Sequence, residues 1–194
     1  MNPFTSDELS VIQNQEFLLT KAEALQKVSQ LLTEVRAHLA AVVEQSEFEF
    51  PYKINHTTAK ISRGENYESL PYQILDFPAR FTQEDTFAFR TMFWWGNFFS
   101  VTLLLGGESV QKFRHKLIQS IDHLLDNNTY LGIGTSPWEH HFRSDNCKIL
   151  EGEDKKLMHD LEFLKLSKKI PLNEWKNLKL LSPKFLETIL NLLK

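Results

Sequence analysis

Arg90 is the only charged residue between Thr86 and Leu105, the most β-prone stretch of the chain. A guanidinium keeps its proton at any physiological pH, so a half-buried strand position must supply an anion or a route to water. Three arrangements do so. Arg90 can reach solvent from near a sheet edge, pair with an internal carboxylate such as Asp76, or bind an anionic ligand. Trp94 and Trp95 follow it, and their rings serve either as core or as walls for a planar ligand.

Two further clusters carry chemistry. His56, Lys60 and Arg63 share a polar, β-leaning segment with Glu65 and Tyr67. Strand alternation puts His56 and Lys60 on one face and Arg63 on the other. These groups meet Arg90 if that strand joins the same sheet, and otherwise face solvent. Trp138-Glu139-His140-His141 reads as a loop segment. A His there can move protons near neutral pH or ligate a metal. Adjacent His side chains in an extended segment point apart, so a metal would need help from His56 or His115, and no metal site is expected. His115 and His123 lie two turns apart on one helix and read as solvated.

Other signatures are missing. The chain has no GxxxxGK[ST], no GxGxxG, no HExxH and no GxSxG, and Gly132-x-Gly134 stands alone. Cys147 is the single cysteine. That excludes a disulfide scaffold or a cysteine zinc cluster, and the thiol reads as an ordinary core or loop group. No cofactor is implied.

The elements that must position these residues follow from periodicity. Residues 1–50 form an N-terminal helical segment. Thr5 and Glu8 make a capping box. Leu18, Leu25, Leu32 and Leu39 recur every seven residues, with Val28, Val35 and Val42 between, giving one apolar stripe. It reads as a helix laid on a sheet or on another helix, the alternative being a homodimer seam over 18–42. Residues 51–107 carry strands. Gly64 marks a turn, and Tyr72 to Phe77 is a short edge strand between Pro71 and Pro78. Gly96-Asn97 reads as a two-residue hairpin turn, which pairs Trp94 with Phe99, Met92 with Val101 and Arg90 with Leu103. Residues 108–126 form an amphipathic helix on Val110, Phe113, Leu117, Ile121 and Leu124. Residues 127–150 hold a short strand from Tyr130 and a loop. Residues 151–194 read as a helical C-terminal segment, with a helix over 153–169 and a last one starting at Ser182-Pro183. Strands grouped together predict an α+β fold: a single domain with a mainly antiparallel sheet of four or more strands, covered by a long N-terminal helix, a central helix and C-terminal helices.

Composition agrees. At 194 residues with 42% hydrophobic content, the chain can bury a sizeable core. A net charge of -3 provides no global field for nucleic acid. The charge is uneven. Residues 1–50 hold three basic against eight acidic side chains, and residues 151–194 hold nine against seven. The lysine-rich end reads as a solvated face, so nucleic-acid binding is not expected. No apolar run is long enough to span a membrane. The lone cysteine and the absence of a leader pattern at Met1 to Leu9 suit a reducing cytoplasm.

The functional expectation is a sheet-lined pocket for a small anionic or aromatic ligand, built from Arg90, Trp94, Trp95, His56 and His140. The alternatives are a non-catalytic interaction or homodimerisation module using the 18–42 stripe, and a small hydrolase or transferase using His140 or His141.

Overall fold

A computed structural model describes residues 3–52, 59, 61–126 and 128–194. Seven strands form one antiparallel sheet: β1 (Ile61–Tyr67), β2 (Leu70–Phe81), β3 (Asp85–Trp94), β4 (Phe98–Gly106), β5 (Thr129–Gly132), β6 (Cys147–Ile149) and β7 (Leu164–Pro171). Their spatial order is β1-β2-β3-β4-β7-β5-β6. The helices are α1 (Ser6–Gln13), α2 (Gln15–Gln45), α3 (Gly107–Gln119), α4 (Lys155–Asp160) and α5 (Leu178–Leu193). The α+β architecture read from the sequence is the one observed.

The sheet has two unlike faces because side chains alternate along each strand. Phe87, Phe89, Phe93, Val101, Leu103, Leu105, Leu166 and Ile170 point to one side, where α2, α3 and α5 supply Leu32, Val35, Leu39, Phe113, Leu117, Leu186 and Ile189. This is the main core. Leu32, Val35 and Leu39 are fully buried there, so the heptad stripe from Leu25 onward is spent inside the chain. The acidic α2 and the basic α5 lie side by side, with Glu34–Lys179 at 2.9 Å and Glu47–Lys194 at 3.5 Å. Both pairs are solvent-screened and contribute little.

The hairpin corrects the sequence reading by one residue. Three residues, Trp95-Gly96-Asn97, make the turn, and Gly96 adopts φ +71°. Trp94 therefore pairs with Phe98, Met92 with Ser100 and Arg90 with Thr102, not with Phe99, Val101 and Leu103. A one-residue slip exchanges every partner's face. Arg90 consequently lies in a polar row.

Other boundaries move too. β2 runs through both prolines as an inner strand, because a bulge between Asp76 and Ala79 accommodates Pro78, which has no amide to donate. Gly64 is no turn. It lies within β1, where a Cβ would meet the Tyr72 ring at 2.4 Å. The turn is at Glu68-Ser69, both at positive φ. The expected helix over 153–169 stops at Asp160, and Leu164–Pro171 is instead the strand β7 between β4 and β5. Leu164, Leu166 and Ile170 share one face of the strand, but Lys168 takes the fourth position of that face and Lys165 and Lys169 lie on the other, which hides the alternation. Ser182 does not cap the last helix. That helix begins at Leu178 with Pro183 inside it, and buried Ser182 meets Thr91 Oγ1 at 3.1 Å.

Gly107 joins β4 to α3 at φ +56°, where a Cβ would stand 1.8 Å from the Glu84 carbonyl oxygen. That clash is with backbone and cannot relax cheaply. Gly107→Ala should cost more than about 2 kcal/mol of stability, read as a lower urea midpoint.

Candidate functional site

Among the described residues no helix covers the second face of the sheet. Its strands bring Asp76, Arg90, Thr102, Ser167 and Tyr130 into one directly opposed row across β2, β3, β4, β7 and β5. One end of this face is apolar, with Ile74, Met92, Trp94 and Phe98 packed against Tyr67, Tyr72 and Phe142. The segment 135–146 crosses over the strands as a strap.

Arg90 is held on three sides. Its Nε and Nη2 donate to the two carboxylate oxygens of Asp76 at 2.7 and 2.9 Å, and Nη1 donates to His140 Nε2 at 3.2 Å. The Trp138 ring lies 5.6 Å from the guanidinium carbon, close enough for a cation–π contact. The internal pair foreseen as one of three outcomes is thus the one observed, and the charge of Arg90 is matched within the protein.

His140 can accept that bond only as the neutral tautomer protonated at Nδ1. Burial, then the nearby charges of Arg90, Lys165 and His141, bring its pKa down from 6.5 to about 3. That is far below the range of a general base at neutral pH. His141 turns away from Arg90, with Nε2 3.6 Å from a Glu139 carboxylate oxygen.

Tyr67 anchors the strap. Its hydroxyl accepts from the backbone amides of His140 at 2.7 Å and His141 at 3.1 Å, and donates to Glu139 Oε2 at 3.1 Å. Phe142 packs edge-on against Phe98 and Tyr130, with centroids 5.1 and 4.8 Å away. Asn146 Nδ2 donates to the His141 carbonyl at 2.5 Å.

Lys165 is the residue that sequence reasoning missed. By sequence it belongs to the lysine-rich end, which reads as a solvated face. On β7 it is 3% exposed, and its stem lies across Gly132, where a Cβ would stand 2.8 Å from Lys165 Cβ. Its ammonium donates to the Glu139 carbonyl, and among the described residues no carboxylate lies within ion-pair distance. Burial lowers its pKa from 10.5. The spacing Leu164-x-Leu166 was the only local sign that Lys165 belongs to a strand.

The other expected site residues separate. Trp94 shares this face at its apolar end, and its indole donates to the Tyr67 carbonyl at 3.2 Å. Trp95 packs with Phe93 on the helix side instead, because alternation at the end of β3 puts it on the face opposite Trp94. Arg63 also faces the helices and donates to Ser29 Oγ at 3.0 Å. Of that polar group only Tyr67 reaches Arg90's side; His56 and Lys60 lie outside the described residues. Burial raises the Cys147 pKa, leaving a protonated core thiol.

A comparison of the chain with family models, curated proteins and solved structures found no match. The site is therefore read from its geometry.

Two outcomes follow. Asp76→Asn should cost roughly 3 kcal/mol in chemical denaturation by leaving Arg90 under-compensated, and Asp76→Leu with Arg90→Met should recover most of it. The pH dependence has a definite sign. In the unfolded chain His140 takes a proton near 6.5, but in the fold not until about 3. Its neutral burial is therefore harmless above 6.5, and stability falls as pH drops from 6.5 toward 3, by on the order of 2 to 4 kcal/mol. His140→Gln, which keeps an acceptor for Arg90, should flatten that part of a stability-versus-pH curve.

Proposed function

We propose that the protein binds a small anionic ligand, a carboxylate or an inorganic oxyanion, on the helix-free face of its sheet. Lys165 supplies the charge. The observation that supports this is a lysine residue 3% exposed whose ammonium has only a backbone carbonyl as its described hydrogen-bond partner. Burying a cation without an anion is costly, and such an arrangement is more often kept for a ligand than for stability. The carbonyl of Glu139 takes the place at Nζ that a ligand oxygen would take, so binding requires the strap to shift. Arg90 is a positioning residue. Locked to Asp76, it holds His140 neutral and adds positive potential beside Lys165. Trp138 provides a wall beside Arg90, while Trp94 and Phe98 form the apolar far end of the same face.

This reading is a binding function, without a catalytic step. His140 is too weak a base and Cys147 too weak an acid for proton transfer or attack near neutral pH. The buried thiol suits a reducing compartment such as the cytoplasm.

A thermal-shift series with acetate, benzoate, phosphate and sulfate at constant ionic strength tests the proposal. At least one of these anions should raise Tm in a saturable way, because a ligand confined to the folded state must stabilise it. Lys165→Met should leave the Tm without added anion unchanged or higher, since an apolar isostere removes a buried charge, and should abolish the anion response. An equal response from that variant, or none from the native chain, would overturn the reading.

A further inference from the structure

We propose that the N-terminal helical arm, α1 with the first two turns of α2, docks on a second copy of this chain. α1 has eight residues, buries none of them, and is closed by the Thr5–Glu8 capping box. A helix that short is marginal in water when nothing packs on it. Its composition also argues against a solvated arm. Phe4, Leu9, Val11, Ile12, Phe17, Leu18 and Leu19 are each between 42% and 68% exposed. Phe17, Leu18 and Leu19 in succession place apolar side chains on three sides of α2, the pattern of a helix that is surrounded.

The area is sufficient for a dimer. Seven such half-exposed side chains amount to on the order of 700 Å² of apolar surface. Together with the groove of the same molecule, that is comparable with the roughly 800 Å² that each partner contributes to a stable interface.

The receiving surface is on the same molecule. A groove of about 400 Å³ lies beside α2, lined by Ala24, Val28, Leu31, Phe93, Phe99 and Trp175 among others. Phe17, Thr20, Ala24, Val28 and Leu31 are spaced three or four residues apart, so the helical wall of the groove continues into the arm. Asn14, at ψ 85°, closes α1 and caps α2, so the arm breaks there and the row from Phe17 to Leu31 is the part that is one continuous helix. An antiparallel pairing of this row with the partner's brings each arm toward the other copy's groove. Such an interface is isologous and closes on itself. Charge agrees. The arm carries Asp7 and Glu16, while Lys27 lines the groove and Lys176 lies over the Trp175 ring. This surface is on the helix side of the sheet and does not depend on the ligand site.

Sedimentation equilibrium at micromolar concentration should show a dimer. Ile12→Glu with Leu19→Glu should give a monomer with unchanged circular dichroism and Tm, because both side chains are exposed in the single chain. Trp175→Ala should raise the dimer dissociation constant at least tenfold. A native chain that sediments as a monomer, or a double variant that stays dimeric, would overturn the proposal. So would a monomer whose arm binds phosphatidylglycerol vesicles, which would make a membrane surface the occupant.

Discussion

The helix-free half of this molecule is organised around a guanidinium that cannot lose its proton. Arg90 has a side chain 12% exposed on a sheet face, and that position is tolerable only with a carboxylate in register. Asp76 occupies it because the β2 bulge falls just after that residue, beyond the aligned pair. The third donor of Arg90 then requires an acceptor, which fixes the tautomer of His140. His140 sits in the strap, so the orientation of the strap is tied to the same charge. Tyr67 completes the arrangement by accepting the two backbone amides at His140 and His141.

The two faces solve different problems. The helix side is a conventional apolar core, in which Gln73 pairs with Ser29 and Thr91 with Ser182. The strap side mixes an apolar patch with paired and unpaired charge. Desolvation acts in the same direction on His140 of the strap and on Lys165 beneath it, disfavouring the charged form of each. Only Arg90, which cannot respond that way, keeps full compensation. The consequence is a face whose electrostatics are balanced for Arg90 and left open at Lys165.

Much of the fold is visible in short-range patterns. The capping box at Thr5, the amphipathic run from Val110 to Leu124 and the aromatic hairpin around Gly96 each depend on neighbours a few positions away. The site was partly visible as well: Arg90 stands out by type, and the loop of Trp138 and His140 by composition. Lys165 did not, because three lysines obscure a period of two and a buried lysine resembles a solvated one until its surroundings are known. Trp95 cannot join Trp94, because adjacent residues of a strand point to opposite faces; turns of two and three residues share the same glycine signal, and that difference of one residue changed the cross-strand partners of Arg90, Met92 and Trp94.

The chain by itself therefore determined the class of fold, the need of Arg90 for an anion and the existence of an aromatic hairpin. These are consequences of local periodicity and of side-chain chemistry that no environment changes. The tertiary structure decided that Asp76 satisfies Arg90, that Leu164–Pro171 is a central strand, and that Lys165 is buried across Gly132 beneath the Glu139 carbonyl. Those outcomes depend on cross-strand register and on desolvation, and both arise from segments that are distant along the chain and adjacent only once the sheet has closed.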